Sequence, residues 1–283
     1  EYFLYQTLLV AFPFEDENDS DFLPRIKDYM VKAVREAKVH TAWIKPDSAY
    51  EEAFLSFIDK LLSSDRENPF LQDFLPFKRK VAHFGMLNSL TQTLIKMTAP
   101  GVPDFYQGTE LWDLSLVDPD NRRPVDYARR QSALREIRER SENDLSGLID
   151  ELLATMEDGR IKQFLIYQTL CLRHRYPLLF QEGDYLPLEA VGPGREHVIA
   201  YARKHNNGYV ITVAPRCLAG WLKEATLPLG HDVWQETYLN LPTPEQFDWQ
   251  DMLSGAQLSG EEKIDIGTIL QRFPVSLLLN AEN

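Results

Sequence analysis

Gly101-Val102-Pro103-Asp104-Phe105-Tyr106-Gln107-Gly108-Thr109-Glu110, followed by Trp112 and then Asp118-Pro119-Asp120-Asn121-Arg122-Arg123-Pro124, is the densest polar and aromatic stretch of the chain. Pro100-Gly101 ends a helical pattern, residues 102–107 read as one short strand, and Glu110 to Pro124 read as a long loop. Helix, turn, strand and loop in that order describe one step of an α/β barrel, where the loop after a strand faces the active site. The residue types suit a sugar. Carboxylates, Asn and Arg hydrogen-bond adjacent hydroxyls, and Tyr and Trp offer flat apolar faces to a pyranose. Equally, Asp118, Asp120, Arg122 and Arg123 would serve as a salt-bridge network pinning the loop, and Glu110 with Asp118 has the composition of a glycosidase carboxylate pair without compelling one.

Outward from this stretch, the upstream chain reads as helical throughout. Residues 2–12 form a short apolar helix before Pro13. Phe22, Ile26, Tyr29, Met30, Ala33, Val34 and Ala37 share one helical face. Ser48-Ala49-Tyr50-Glu51 reads as a capping box opening a helix with Tyr50, Phe54, Phe57, Ile58 and Leu61 inward. A longer helix is predicted from about Phe77 to Thr98, and His40-Thr41-Ala42-Trp43 lies between two of these helices in a capping, packing or substrate-touching role. Downstream, helices are predicted at about 126–140, 145–156 and 160–174. After Pro177 the texture turns to β: His197 to Arg203 and Tyr209 to Ala214 flank Asn206-Asn207-Gly208, a strong hairpin signal. Further short strands are expected near 224–229, 233–240 and 264–279. The expected organisation is a helical segment (1–99), the last strand of a (β/α)8 barrel with its loop and following helices (100–180), and a C-terminal antiparallel β-sandwich-like domain (181–283).

The 283 residues carry 43 acidic and 30 basic side chains, a formal charge of −13. With no basic stripe to offset it, nucleic acid and anionic membrane surfaces are disfavoured as partners. No run approaches the roughly 18 apolar residues needed to span a bilayer. Cys171 and Cys217 are too few for a disulfide framework and read as two buried thiols of a cytoplasmic protein. The acids between Glu15 and Asp21 read as a solvated loop, without calcium-loop spacing. Phosphate-loop, dinucleotide, HExxH and G-x-S-x-G motifs are absent, and no cofactor or metal is expected. The first residues, Glu1-Tyr2-Phe3, lack an initiating Met and enter a helical pattern at once, as in a piece of a longer protein.

Residues 100–110 resemble the eighth barrel strand of the α-amylase superfamily (glycoside hydrolase family 13). The longer run through Trp112 and Ser115 to Asp126 closely resembles the maltooligosyltrehalose synthase family. Ala37 to Trp43, with Tyr50-Glu51, is similar to that family's helical insertion. The resemblance implies an intramolecular transglycosylase, an isomerase acting on maltooligosaccharides in trehalose biosynthesis by a retaining mechanism. It places the three catalytic carboxylates on barrel strands four, five and seven, whose motifs are absent here. The chain is therefore expected to be the C-terminal part of such an enzyme, with no catalytic residue, inactive alone and completed by the missing N-terminal part of the barrel. Tyr106, Gln107, Glu110, Asp118, Asp120, Asn121, Arg122 and Arg123 are the expected sugar-pocket wall, supported by Trp112, with His40 and Trp43 as further candidates. The competing readings are a stand-alone carbohydrate-binding or interaction module and part of an α-amylase-type hydrolase.

Overall fold

The computed structural model describes residues 1–14, 21–63, 67–242, 247–260 and 262–280. Most of the acidic 15–21 loop falls outside them. The chain divides into two compact units that do not follow sequence order: Glu1–His83 with Asp113–Val125, and Phe84–Trp112 with Asp126–Asn283.

The first unit contains α1 (Tyr2–Ala11), α2 (Phe22–Ala37), α3 (Ser48–Leu61) and the beginning of α4 (Pro69–Thr98). Its core joins Leu4 and Leu8 of α1, Phe22, Ile26 and Met30 of α2, Ile58 of α3, Phe74 of α4 and Leu116 of the 113–125 segment. These are the faces that period 3.6 selects, and each fully buried large side chain contributes about 1.5–3 kcal/mol. Two helix starts differ from expectation. Asp47, not Ser48, caps α3, accepting from the Tyr50 N–H at 3.0 Å. Glu51 is thereby released from any capping box to bind elsewhere. α4 begins at Pro69, eight residues before Phe77, because Asn68 accepts from the N–H groups of Phe70 (3.0 Å) and Leu71 (3.3 Å). Pro76 lies inside that helix. Buried Lys78 reaches the segment that follows α1, donating to the carbonyls of Pro13 and Phe14 with its ammonium over the rings of Phe12 and Phe14.

The second unit holds the rest of α4, then α5 (Tyr127–Asn143), α6 (Leu145–Ala154), α7 (Arg160–Arg175) and α8 (Pro177–Gln181). Asp126 and Asp144 cap α5 and α6 through the N–H groups of Arg129 (2.9 Å) and Gly147 (3.1 Å). The β region follows. β1 (Asp184–Pro187), β3 (Val198–His205), β4 (Gly208–Pro215), β6 (Phe247–Asp251), β7 (Gln257–Gly260) and β9 (Ser276–Asn280) form an antiparallel sheet in the order β1-β3-β4-β9-β6-β7. β2 (Ala190–Val191), β5 (Tyr238–Asn240) and β8 (Lys263–Asp265) form a second, antiparallel one. The predicted hairpin is β3–β4, in register from Val198↔Pro215 to His205↔Gly208. Residues 224–229 form no strand, and α9 (His231–Trp234) and α10 (Ile266–Ile269) interrupt the other two expected runs. Two arginines bind the carbonyl end of α4: Arg173 donates to Met97 O (2.5 Å) and Gly101 O (3.4 Å), Arg203 to Thr98 O (3.4 Å). The Tyr201 and Thr98 hydroxyls lie 2.6 Å apart beside them.

Two expectations fail. The barrel strand at 102–107 is not formed: the segment is irregular and then turns, with Thr109 N–H donating to Tyr106 O at 3.1 Å. Pro103 lacks an N–H, and no described strand pairs with the segment, so its backbone gains nothing from strand geometry. Cys171 and Cys217 are exposed free thiols rather than buried ones. Cys171 sits on the outer face of α7, and Cys217 holds a left-handed backbone position with φ 52°. No described helix is long and apolar enough to cross a membrane.

Candidate functional site

The candidate residues divide between the two units. In the first, the 113–125 segment folds around Asp120. Its carboxylate accepts from Arg25 Nε (2.8 Å) and Nη2 (3.0 Å) and from the Leu116 N–H (2.6 Å), while Arg123 Nε approaches to 3.2 Å. The side chain is only 8% exposed. Burial pushes this carboxyl up, but the hydrogen bonds from Arg25 and Leu116 and the charges of Arg25 and Arg123 outweigh it and hold it below the ordinary range. Arg25 also donates to Leu114 O at 3.0 Å, and Lys32, two turns along α2, donates to Asp118 O. Arg123 closes the ring through Ser115 Oγ (3.1 Å) and Asp120 O (3.1 Å). Asp118 pairs with Arg122, both of them half-exposed or more, and Asn121 is exposed. Asp120 thus pins the loop, while Asp118, Asn121 and Arg122 lie on its surface.

Elsewhere in the same unit, Glu51 accepts from Arg35 Nε (2.8 Å), Arg35 Nη2 (2.7 Å) and Thr41 Oγ1 (2.6 Å). The bidentate Arg35 pair, then the Thr41 bond, hold its carboxyl down at about 2. Thr41 Oγ1 accepts from the Asp47 N–H at 3.0 Å, which fixes the path into α3. On this frame Trp43 is 56% exposed, with the Arg35 guanidinium 4.9 Å from its ring centre. His40 is exposed and packs on Tyr50, ring centres 5.0 Å apart. His40, Thr41 and Trp43 therefore split: Thr41 is buried between Glu51 and the Asp47 N–H, and the two aromatic rings are exposed.

In the second unit, Glu110 accepts from Arg130 Nε at 3.1 Å, and Arg130 Nη2 donates to Gly108 O at 2.6 Å. Gly108 has φ 92°, a left-handed turn that a side chain would strain. Gln107 Oε1 accepts from the Tyr127 hydroxyl at 3.0 Å. Tyr106 is 60% exposed. Trp112 donates through Nε1 to Met156 O at 2.7 Å, and Lys162 Nζ lies 5.7 Å from its ring centre. Gly159 makes this possible: with φ 82°, a Cβ there would stand 2.9 Å from Trp112 N. Gly159→Ala is expected to destabilise by more than about 1 kcal/mol and to shift the Trp112 indole N–H resonance. An unchanged urea midpoint and unchanged resonance would contradict that account. No group of His, Cys, Asp and Glu among the described residues could hold a metal.

These clusters set exposed aromatic and amide groups beside carboxylates pinned by arginines. No protein-family model matches the chain. A maltooligosyl trehalose synthase of Mycobacterium tuberculosis is 33% identical over 258 residues, 91% of this chain and 29% of the relative. The maltooligosyltrehalose synthase structure from Arthrobacter ramosus matches 98% of this chain with TM-score 0.74 and 28% identity, over 32% of its own length. A further solved maltooligosyl trehalose synthase matches at TM-score 0.71 and 28% identity, covering 99% of this chain and 33% of its own. The chain is similar to part of maltooligosyltrehalose synthase. It spans about a third of the length of the relatives it matches.

The likeness to the synthase expected from residues 37–51 and 100–126 is therefore found. What sequence reading missed are residues that hold the candidates in place, Arg25, Lys32, Arg35 and Arg130, and the pairing of Glu51 with Arg35. Their signal was present in part. Arg25, Lys32 and Arg35 recur at seven and three residues along α2, away from Phe22, Ile26 and Met30, so one polar stripe serves both neighbouring segments.

Proposed function

We propose that this chain is the C-terminal part of an intramolecular transglycosylase, a (1→4)-α-D-glucan 1-α-D-glucosylmutase. This enzyme converts the reducing-end α-1,4 linkage of a maltooligosaccharide to α,α-1,1. The observation that carries the proposal is the 33% identity to a maltooligosyl trehalose synthase over 91% of the chain. The chemistry runs through a carboxylate nucleophile and a glycosyl-enzyme. The freed glucose turns over and attacks before water does, so a tight pocket that excludes water separates isomerisation from hydrolysis.

On this reading the chain contributes sugar-contacting groups and no catalytic carboxylate. Neither an Arg-x-Asp-His nor a Thr-His-Asp-Thr-Lys stretch occurs in its sequence. Glu110 and Asp120, each committed to an arginine, position their segments. Tyr106 and Gln107 in one unit, and Trp43, His40, Asp118, Asn121, Arg122 and Arg123 in the other, are the groups offered to hydroxyls and pyranose faces. Trp112 supports the former. The chain alone has no activity. The remaining partners are the maltooligosaccharide and the rest of the barrel, and the setting is the cytoplasm.

Variants in a complete enzyme carrying this sequence test the assignment. Tyr106→Ala or Arg123→Ala is expected to raise the ratio of glucose released to trehalose-ended product severalfold, since each loosens hold on the migrating glucose. An unchanged ratio at an unchanged rate would remove that residue from the site.

A further inference from the structure

A cavity of about 400 Å³ opens in the second unit between the corner joining α7 to α8 and the β3–β4 turn. That is within the roughly 300–1,000 Å³ typical of small-molecule sites. None of the candidate residues above lines it, so it stands apart from the function just proposed. Its floor is apolar, with Leu179 buried and Leu178 half-exposed. One side carries Arg175, whose guanidinium lies 5.3 Å from the ring centre of Tyr176, also in the wall. The other side is the hairpin turn, with His205, Asn206 and Asn207 in succession. His205 Nδ1 lies 3.3 Å from the Asn206 amide nitrogen. Asn206 is held at φ 52°, so both asparagines sit on a fixed two-residue turn rather than a loose loop.

The charge of the lining is the informative feature. Asp and Glu outnumber Lys and Arg 43 to 30 in the chain, yet this cavity is lined by one arginine, one histidine and no acidic side chain. An arginine and an imidazole in the wall of one cavity suit a phosphoryl group, the arginine through charge-assisted bonds. The carbonyl end of α7 opposes an anion with about half a charge, less than the full charge of Arg175 alone. The cavity is also far larger than phosphate, of which an organic body must fill the remainder. Two adjacent amides, each with donors and an acceptor, fit vicinal hydroxyls, and the Tyr176 ring offers a flat face. We propose that this cavity binds a small phosphorylated sugar, its phosphoryl group between Arg175 and His205 and its hydroxyls on Asn206 and Asn207.

The test is calorimetric titration of the chain at low ionic strength with glucose 6-phosphate, inorganic phosphate and glucose separately. Saturable one-site binding of glucose 6-phosphate is expected, at least tenfold tighter than phosphate, with no saturable binding of glucose. Arg175→Ala should weaken it at least tenfold, and Asn207→Ala at least threefold. Asn207 is exposed at the turn, so its variant keeps the test open if Arg175→Ala fails to fold. No saturable binding of glucose 6-phosphate, equal binding of glucose, or Asn207→Ala and a folded Arg175→Ala that both bind as the parent does would each overturn the proposal.

Discussion

Asp120→Ala is expected to destabilise the chain by about 2–4 kcal/mol, because it leaves Arg25 buried without the carboxylate that it grips with two nitrogens. The loss has a local signature. The Leu116 N–H, which donates to Asp120 at 2.6 Å, would exchange with solvent faster, while amides of β3 and β4 would keep their protection. The pH dependence has a definite sign. The folded carboxyl is held below the ordinary value of 3.8, so its contribution is fully present above that value and is lost as pH falls through the lower, folded one. The deficit of Asp120→Asn relative to the parent should therefore be constant near neutrality and shrink in acid below about pH 4. Urea unfolding across that range measures it. A deficit under about 0.5 kcal/mol at neutral pH would show that the loop is not braced by this pair.

The second large effect is expected at Arg160. Its guanidinium joins Asp158 (2.8 Å), Glu151 (2.7 Å) and Glu136 (3.2 Å), and Arg140 binds both of those glutamates. Burial alone would pull Arg160 down, but the Asp158 and Glu151 hydrogen bonds and the charges of Asp158 and Glu136 raise it further above its ordinary value. The network ties α5, α6 and α7 to the turn at Met156–Asp158, whose Met156 carbonyl receives the Trp112 indole. Arg160→Ala leaves Asp158 without its guanidinium partner and leaves Glu136 and Glu151 to Arg140 alone. With partial exposure and screening discounted, it should cost about 2 kcal/mol and more at low salt than at 1 M. It should also move the Trp112 indole resonance. Arg160→Lys keeps the charge but not the fork, and should recover only part of the loss. A loss that is the same at both ionic strengths would refute the electrostatic account.

Helices were legible from the sequence wherever an apolar stripe met a cap. Phe22, Ile26 and Met30 announced α2, and Asn206-Asn207-Gly208 announced the β3–β4 turn, because both signals are local. The failures have non-local causes. Val102–Gln107 has strand composition, but a strand needs a partner, and none of the described strands supplies one. α4 starts eight residues before the expected Phe77, because Asn68 and Pro69 open it there and Pro76 is carried inside it. In the site, the candidate residue types were visible as one dense run, but their division between two units was not. Nor could spacing show that Asp120 turns inward to Arg25, 95 residues away, while Arg122 and Asn121 stay on the surface. Long-range ion pairs leave almost no trace in a single sequence.

On the function proposed above, this chain carries part of a synthase's sugar-binding surface and none of its catalytic carboxylates. Incubating the purified 283-residue chain with maltopentaose, beside a complete enzyme that contains it, tests that claim most directly. Reducing ends and trehalose-ended product would be followed together. The complete enzyme should consume reducing ends as the product appears, and the chain alone should leave both unchanged. Turnover by the chain alone, or a rise in reducing ends with no trehalose-ended product from the complete enzyme, would contradict it.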